Sequence, residues 1–162
     1  MTVAHAPHVV LGIGNILMRD EGLGVHAAKA LTHRAVPSGV RIIDGGTLGI
    51  ELLPVIEDCE SLVLIDAARF GGEPGELRSF RGAELTGSYS GHLSPHQAGA
   101  SDLIAVARLM GALPERCTLF AIEPAEVGFG LDLSATVRGA MPQLIDAILA
   151  EVRTFAQEPA NA

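Results

Sequence analysis

Three runs of the chain, 8–13, 61–65 and 117–122, are apolar at nearly every position. Short apolar runs bounded by turn signals predict strands buried on both faces. A further strand is predicted over 40–43, ending at Asp44-Gly45-Gly46-Thr47, and a short one near 76–80. Between these runs the apolar residues recur at helical spacing. Leu23, Ala27, Ala28 and Leu31 predict a first helix beginning at Asp20 or Glu21 and reaching about His33. Leu48, Leu52, Leu53 and Ile56 predict a second, capped by Thr47 and ending near Glu57. Leu103, Ile104, Ala107 and Met110 share a face of a third helix, over 96–111. The last carries Val137, Met141, Leu144, Ile148, Val152 and Phe155, with Ser134 as its N-cap. Pro142 falls inside that pattern, where proline kinks a helix or delays its start.

Strands alternating with helices predict an α/β fold: a three-layer αβα sandwich on a mostly parallel, twisted sheet. The 162 residues suit one domain spanning 1–162, with 1–7 and 157–162 as loose tails. The crossover rule then places the carboxyl ends of the parallel strands on one edge, where ligands of open α/β sheets bind. That edge receives Asn15 and Glu21 from the first strand, Asp44 from the second and Asp66 from the third.

Composition narrows the partners. A net charge of −8 opposes binding to nucleic acid or anionic membranes. No apolar run approaches the ~20 residues of a bilayer span, and the N-terminus has no signal-peptide pattern. Cys59 and Cys117 are far apart and form no C-x-x-C pair, as expected of a reduced, cytoplasmic protein. Neither has an activating neighbour in sequence, and no G-x-S-x-G elbow nominates a serine.

Carboxylates gathered without lysine or arginine repel one another unless they are protonated or bind a cation. A histidine from the 82–96 stretch, His92 or His96, would complete a mixed oxygen–nitrogen site suited to zinc, nickel, iron or manganese. Plainer roles compete for several of these residues. Asp20 reads as the N-cap of the first helix. Asp44 before two glycines suits an Asx turn as well as a binding role. His8, His26 and His33 read as surface or packing residues. Asp66, at the end of a buried run, is the acid hardest to explain by structure alone. Gly12-x-Gly14 imitates a dinucleotide fingerprint, but Leu17 stands where a third glycine belongs. Asp20 and Glu21 also oppose a pyrophosphate at the helix start.

The combined pattern resembles the hydrogenase maturation proteases, endopeptidases that process the large subunit of nickel–iron hydrogenases. The resemblance rests on Gly12-Ile13-Gly14-Asn15-Ile16-Leu17, Asp20-Glu21-Gly22-Leu23-Gly24-Val25, Asp44-Gly45-Gly46-Thr47-Leu48-Gly49, Leu64-Ile65-Asp66-Ala67 and Ser94-Pro95-His96-Gln97. It implies removal of a C-terminal extension from the nickel-loaded NiFe hydrogenase large-subunit precursor by a monomeric enzyme. Glu21, Asp66 and His96 would meet the nickel, which the substrate carries and another divalent metal can replace. The segment Asp44, Gly45, Gly46 and Thr47 would position the substrate, with Asp44 as candidate general base. A non-enzymatic nickel-dependent chaperone and a nucleotide-binding domain are the alternatives.

Overall fold

A computed structural model describes residues 6–86 and 99–158 of the chain. Five strands form one sheet: β1 (His8–Ile13), β2 (Val40–Gly46), β3 (Ser61–Ala67), β4 (Leu77–Arg81) and β5 (Arg116–Ile122), in the order β2-β1-β3-β5-β4. β2, β1, β3 and β5 run parallel, and β4 pairs antiparallel with β5 at one edge. The described residues also form four α-helices: α1 (Leu23–Leu31), α2 (Leu53–Glu57), α3 (Ala100–Leu109) and α4 (Ala135–Gln157).

The near-continuous apolar strands are explained by two cores. One face of the sheet sends Val9, Leu11, Leu62, Leu64 and Leu119 against Leu52 and Ile56 of the α2 region and Leu103, Ile104 and Ala107 of α3. The opposite face sends Val10, Val63, Ile65, Phe120 and Ile122 against Leu23, Ala27 and Leu31 of α1 and the Val137–Phe155 stripe of α4. The period-2 alternation of strand side chains thus feeds two helical layers, as the three-layer expectation requires.

Several boundaries differ from expectation. Residues 19–22 form a 3-10 turn, and α1 starts at Leu23 with no side-chain cap. The second helix is split into a 3-10 turn, Gly49–Leu52, and the five-residue α2. Thr47 caps neither of them, and Leu48 faces solvent instead of the core. Met110 is exposed because α3 ends at Leu109 and Gly111 turns the chain at φ 69°. Pro142 lies within one continuous helix that begins at Ala135, where Ser134 Oγ accepts the Val137 N–H at 3.2 Å. Pro7 is tied down through its carbonyl, which accepts from Glu60 and Ser61, and α4 runs through Gln157.

Two glycines set the distance between helix and sheet. A Cβ on Gly24 would lie 2.2 Å from the Ile13 carbonyl oxygen and 2.4 Å from that of Ile65. A Cβ on Gly12 would lie 2.0 Å from the Gly24 oxygen. Backbone therefore packs on backbone where α1 crosses β1 and β3, and this approach carries the turn before α1 down onto the strand ends.

Candidate active site

The carboxyl edge of the parallel strands is where the acids meet. β1 leads into Gly14, at φ 153°, whose N–H donates to Gly46 O at 3.0 Å. A side chain at Gly14 would strike the Glu21 carbonyl, 2.0 Å from its Cβ. The loop then folds on itself: Asn15 N–H donates to Glu21 O, and Asn15 Oδ1 accepts from Leu17 N–H at 2.9 Å.

Asp20 and Glu21, neighbours in sequence, are both buried but sit in opposite circumstances. The Asp20 carboxylate is completely enclosed and accepts four hydrogen bonds. Oδ2 takes the Ala125 N–H at 2.9 Å, the Glu126 N–H at 2.7 Å and the Ser134 hydroxyl at 2.9 Å, while Oδ1 takes the Ser134 N–H at 2.8 Å. It is not the cap of the first helix. It pins the 123–134 connection to the loop after β1, because an ionised carboxylate can satisfy several N–H donors that a loop would otherwise bury unpaired. Arg19, at φ 50°, reinforces the junction through Glu126 at 3.0 Å, and Met18 bridges to Gly130.

Glu21 is only 5% exposed, and among the described residues neither carboxylate oxygen has a hydrogen-bond partner. Burial pushes its pKa above the ordinary carboxylate value. Asp66, at the end of β3, is equally buried, and its Oδ2 accepts the Ala100 N–H of α3 at 2.9 Å. Its pKa rises to about 8, chiefly through burial and with a further push from the Glu21 charge; the Ala100 and Ala67 N–H groups oppose the shift. Two enclosed carboxylates, both raised by burial and one of them without a hydrogen-bond partner among the described residues, form a site that gains energy by accepting a proton or a cation.

Asp44 is exposed. Its Oδ1 accepts the Gly46 N–H at 3.0 Å, so the Asx turn does form, yet the residue also lines a cleft of about 310 Å³. Gly46 and Thr47 line that cleft from one side, and Gly14, Asn15, Ile16 and Leu17 from the other. Gly45 is buried beneath, against Leu11 and Leu52. The structure thus gathers Glu21, Asp66 and the Asp44 segment on one edge. His96 and His92 lie outside the described residues.

A dinucleotide does not suit this arrangement: Asp20 and Glu21 are buried where its pyrophosphate would meet the helix start. The cysteines are free; burial pushes the Cys59 thiol to about 11 and the Cys117 thiol to about 12, far from thiolate chemistry.

Comparison with known proteins gives the arrangement a family. The model of the hydrogenase maturation protease (HycI) family matches residues 25–151. The chain belongs to the hydrogenase maturation proteases. It is 42% identical over 146 residues to the hydrogenase expression/formation protein HupD of Rhodobacter capsulatus, covering 88% of this chain and 68% of the relative. The hydrogenase 2 maturation protease of Escherichia coli K12 is 34% identical over 147 residues, covering 90% of each chain. The solved structure of the hydrogenase maturating endopeptidase HybD from E. coli superimposes with a TM-score of 0.78 at 34% identity, covering 90% of this chain and 91% of that one. This hydrogenase maturation protease is therefore a hydrolase on a mostly parallel α/β sheet. Among its described residues, no helix is long and apolar enough to cross a membrane.

Two contributions to the protease's edge are invisible to sequence periodicity. One is the Asp20 clamp, whose partners lie more than a hundred positions away. The other is Glu123, a buried acid at the end of β5 whose Oε2 accepts the Phe70 N–H at 2.8 Å and holds the loop after β3. A signal for Glu123 did exist in Glu123-Pro124, a third acid at the end of an apolar strand.

Proposed function

We propose that this protease removes the C-terminal extension of the nickel-loaded NiFe hydrogenase large-subunit precursor and reads the nickel directly. The observation that carries this reading is the unpartnered, enclosed Glu21 carboxylate beside Asp66. Hard carboxylate oxygens with no cation of their own suit a divalent ion that arrives with the substrate. His96, four positions before Ala100 in sequence, is the third donor in this proposal, supplying an imidazole nitrogen. Other divalent metals share the same donor preference and can replace nickel.

Ion contact at Glu21 and Asp66 registers the substrate peptide over the adjoining cleft. There Asp44, exposed and held by its Asx turn, stands as the general base or as an anchor for the substrate, with Gly45, Gly46 and Thr47 shaping the wall. The unreactive thiols leave no cysteine nucleophile, and they fit an enzyme working in the reducing cytoplasm.

Incubation of the purified chain with nickel-loaded precursor should release a C-terminal peptide, seen by intact-mass spectrometry. Precursor prepared without nickel should stay whole. A nickel-loaded precursor left intact by folded enzyme refutes the reading, and equal cleavage of both forms refutes nickel recognition.

A further inference from the structure

Large apolar side chains are unevenly distributed over the surface. Among the described residues, eight stand exposed, and six of them are Ile16, Leu17, Leu48, Ile50, Phe129 and Leu131. The other two, Leu109 and Met110, lie together at the end of α3. The six come from three separate loops at the carboxyl edge of the sheet, and bonding joins these loops into one rim. Gly130 N–H donates to Leu17 O at 2.9 Å, and Arg19 N–H returns a bond to Gly130 O at 2.9 Å. Ile16 and Leu17 also share the cleft with Asp44, Gly46 and Thr47, the segment from which Leu48 and Ile50 follow.

Phe129 is 87% exposed and Leu131 64%. Neither side chain closes the core, although the backbone between them is bonded in place. Summed over the three joined loops, the six residues expose on the order of 600 Å², the scale at which exposed apolar surface is often functional. Such an area exceeds what one or two peptide side chains need to fill the cleft. It falls short of the roughly 800 Å² per partner of a standard stable complex. A transient contact with a folded protein fits between these limits, and an enzyme that must release its product needs that kind of contact.

We propose that this rim docks an apolar surface on the folded body of the precursor, so that substrate is held at two places: the body on the rim, the tail in the cleft. The proposal rests on the reading of the chain as a protease of that precursor. The rim makes the same contact before and during bond cleavage, and contacts of that kind set KM and leave kcat alone.

The test uses full-length enzyme and nickel-loaded precursor. Phe129→Ser with Leu131→Ser, confirmed as folded by thermal melting, should raise KM at least tenfold with kcat within twofold of wild type. Leu109→Ser with Met110→Ser, the control at the end of α3, should leave both constants unchanged. Product lacking the extension should inhibit wild type competitively, with an inhibition constant near KM, and inhibit the rim variant at least tenfold less. Wild-type cleavage with an unchanged KM in the rim variant overturns the docking proposal and leaves the proposed function standing. An equal KM rise in the control, or no inhibition by the tail-less body, also overturns it. So does a dimer in sedimentation that the rim variant dissolves, since the rim would then join two copies of this chain. No cleavage by wild type refutes the proposed function itself, while binding of tail-less body to the rim can still be read directly.

Discussion

Asp20 and Glu21 occupy consecutive positions, are both enclosed, and differ in almost everything else. Asp20 receives four hydrogen bonds from residues 125, 126 and 134, so its charge is spent holding two loops together. Glu21 receives none among the described residues and lies near enough to Asp66 to raise its pKa, while Asp66 fills only part of its own hydrogen-bonding capacity through Ala100 and Ala67. A buried carboxylate costs several kcal/mol unless its lone pairs are answered. Where they are answered within the fold, the acid is architecture. Where they are left open at a sheet edge, the fold is carrying a cost that an incoming cation or proton can relieve.

The sharpest way to break this comparison is to remove Asp20. Asp20→Ala removes the acceptor shared by the N–H donors of 125, 126 and 134, the last of them buried, and should cost about 3 kcal/mol in urea unfolding. Asp20→Asn keeps one acceptor but turns an NH2 group toward backbone donors, and about 2 kcal/mol should be lost. A pure N-cap role predicts near-neutral Asp20→Asn, so an unchanged midpoint for that variant would restore the cap.

Glu21→Gln should do the reverse. With no hydrogen bond to lose, its unfolding midpoint should match or exceed that of wild type, while processing of the precursor falls on the order of 100-fold or more. Even groups that only support a metal ligand cost 10–100-fold when removed. Asp66→Asn should share the processing defect, and the double variant should be no worse than either single, as expected of groups acting as one unit. Full processing by folded Glu21→Gln would end the distinction drawn between the two acids.

A smaller effect is expected at Ser134, which donates to Asp20 and caps α4 with the same hydroxyl. Ser134→Ala should cost about 2 kcal/mol, roughly one from the cap and one from the hydrogen bond. A loss well under 1 kcal/mol would show the clamp to be held by backbone donors alone.

A different kind of effect lies in the pH dependence of the metal-free protein. Asp66 is raised to about 8 in the folded state, above its value in an unfolded chain, so folding favours its protonated form. Its contribution to stability is complete below about pH 4 and is lost as pH rises through about 8; Glu21 acts in the same direction. The melting temperature of wild type, compared with that of Asp66→Asn, should fall between pH 5 and 8.5. Divalent metal should offset the fall, because it binds the deprotonated form. A constant difference across that range would mean that Asp66 is ionised throughout.

Much of this molecule follows from sequence pattern alone. Apolar runs at 8–13, 61–65 and 117–122 are long enough for strands and too short for helices. Their alternation with helical stripes leaves a mainly parallel sheet with its strand ends on one edge. Asp44, Asp66 and Glu21 come to that edge by connectivity, so the gathering of acids was legible, as was the cap at Ser134. The fate of each acid was not. Side chains in loops and 3-10 turns follow no period, so nothing local told Asp20, which is pinned from residues 125–134, from Glu21, which is left open. Leu48 and Thr47 failed as helix positions for a related reason, since a 3-10 turn rotates side chains away from α-helical spacing. Only tertiary structure decided these matters, because hydrogen-bond satisfaction of a buried charge depends on groups that chain folding brings from a distance.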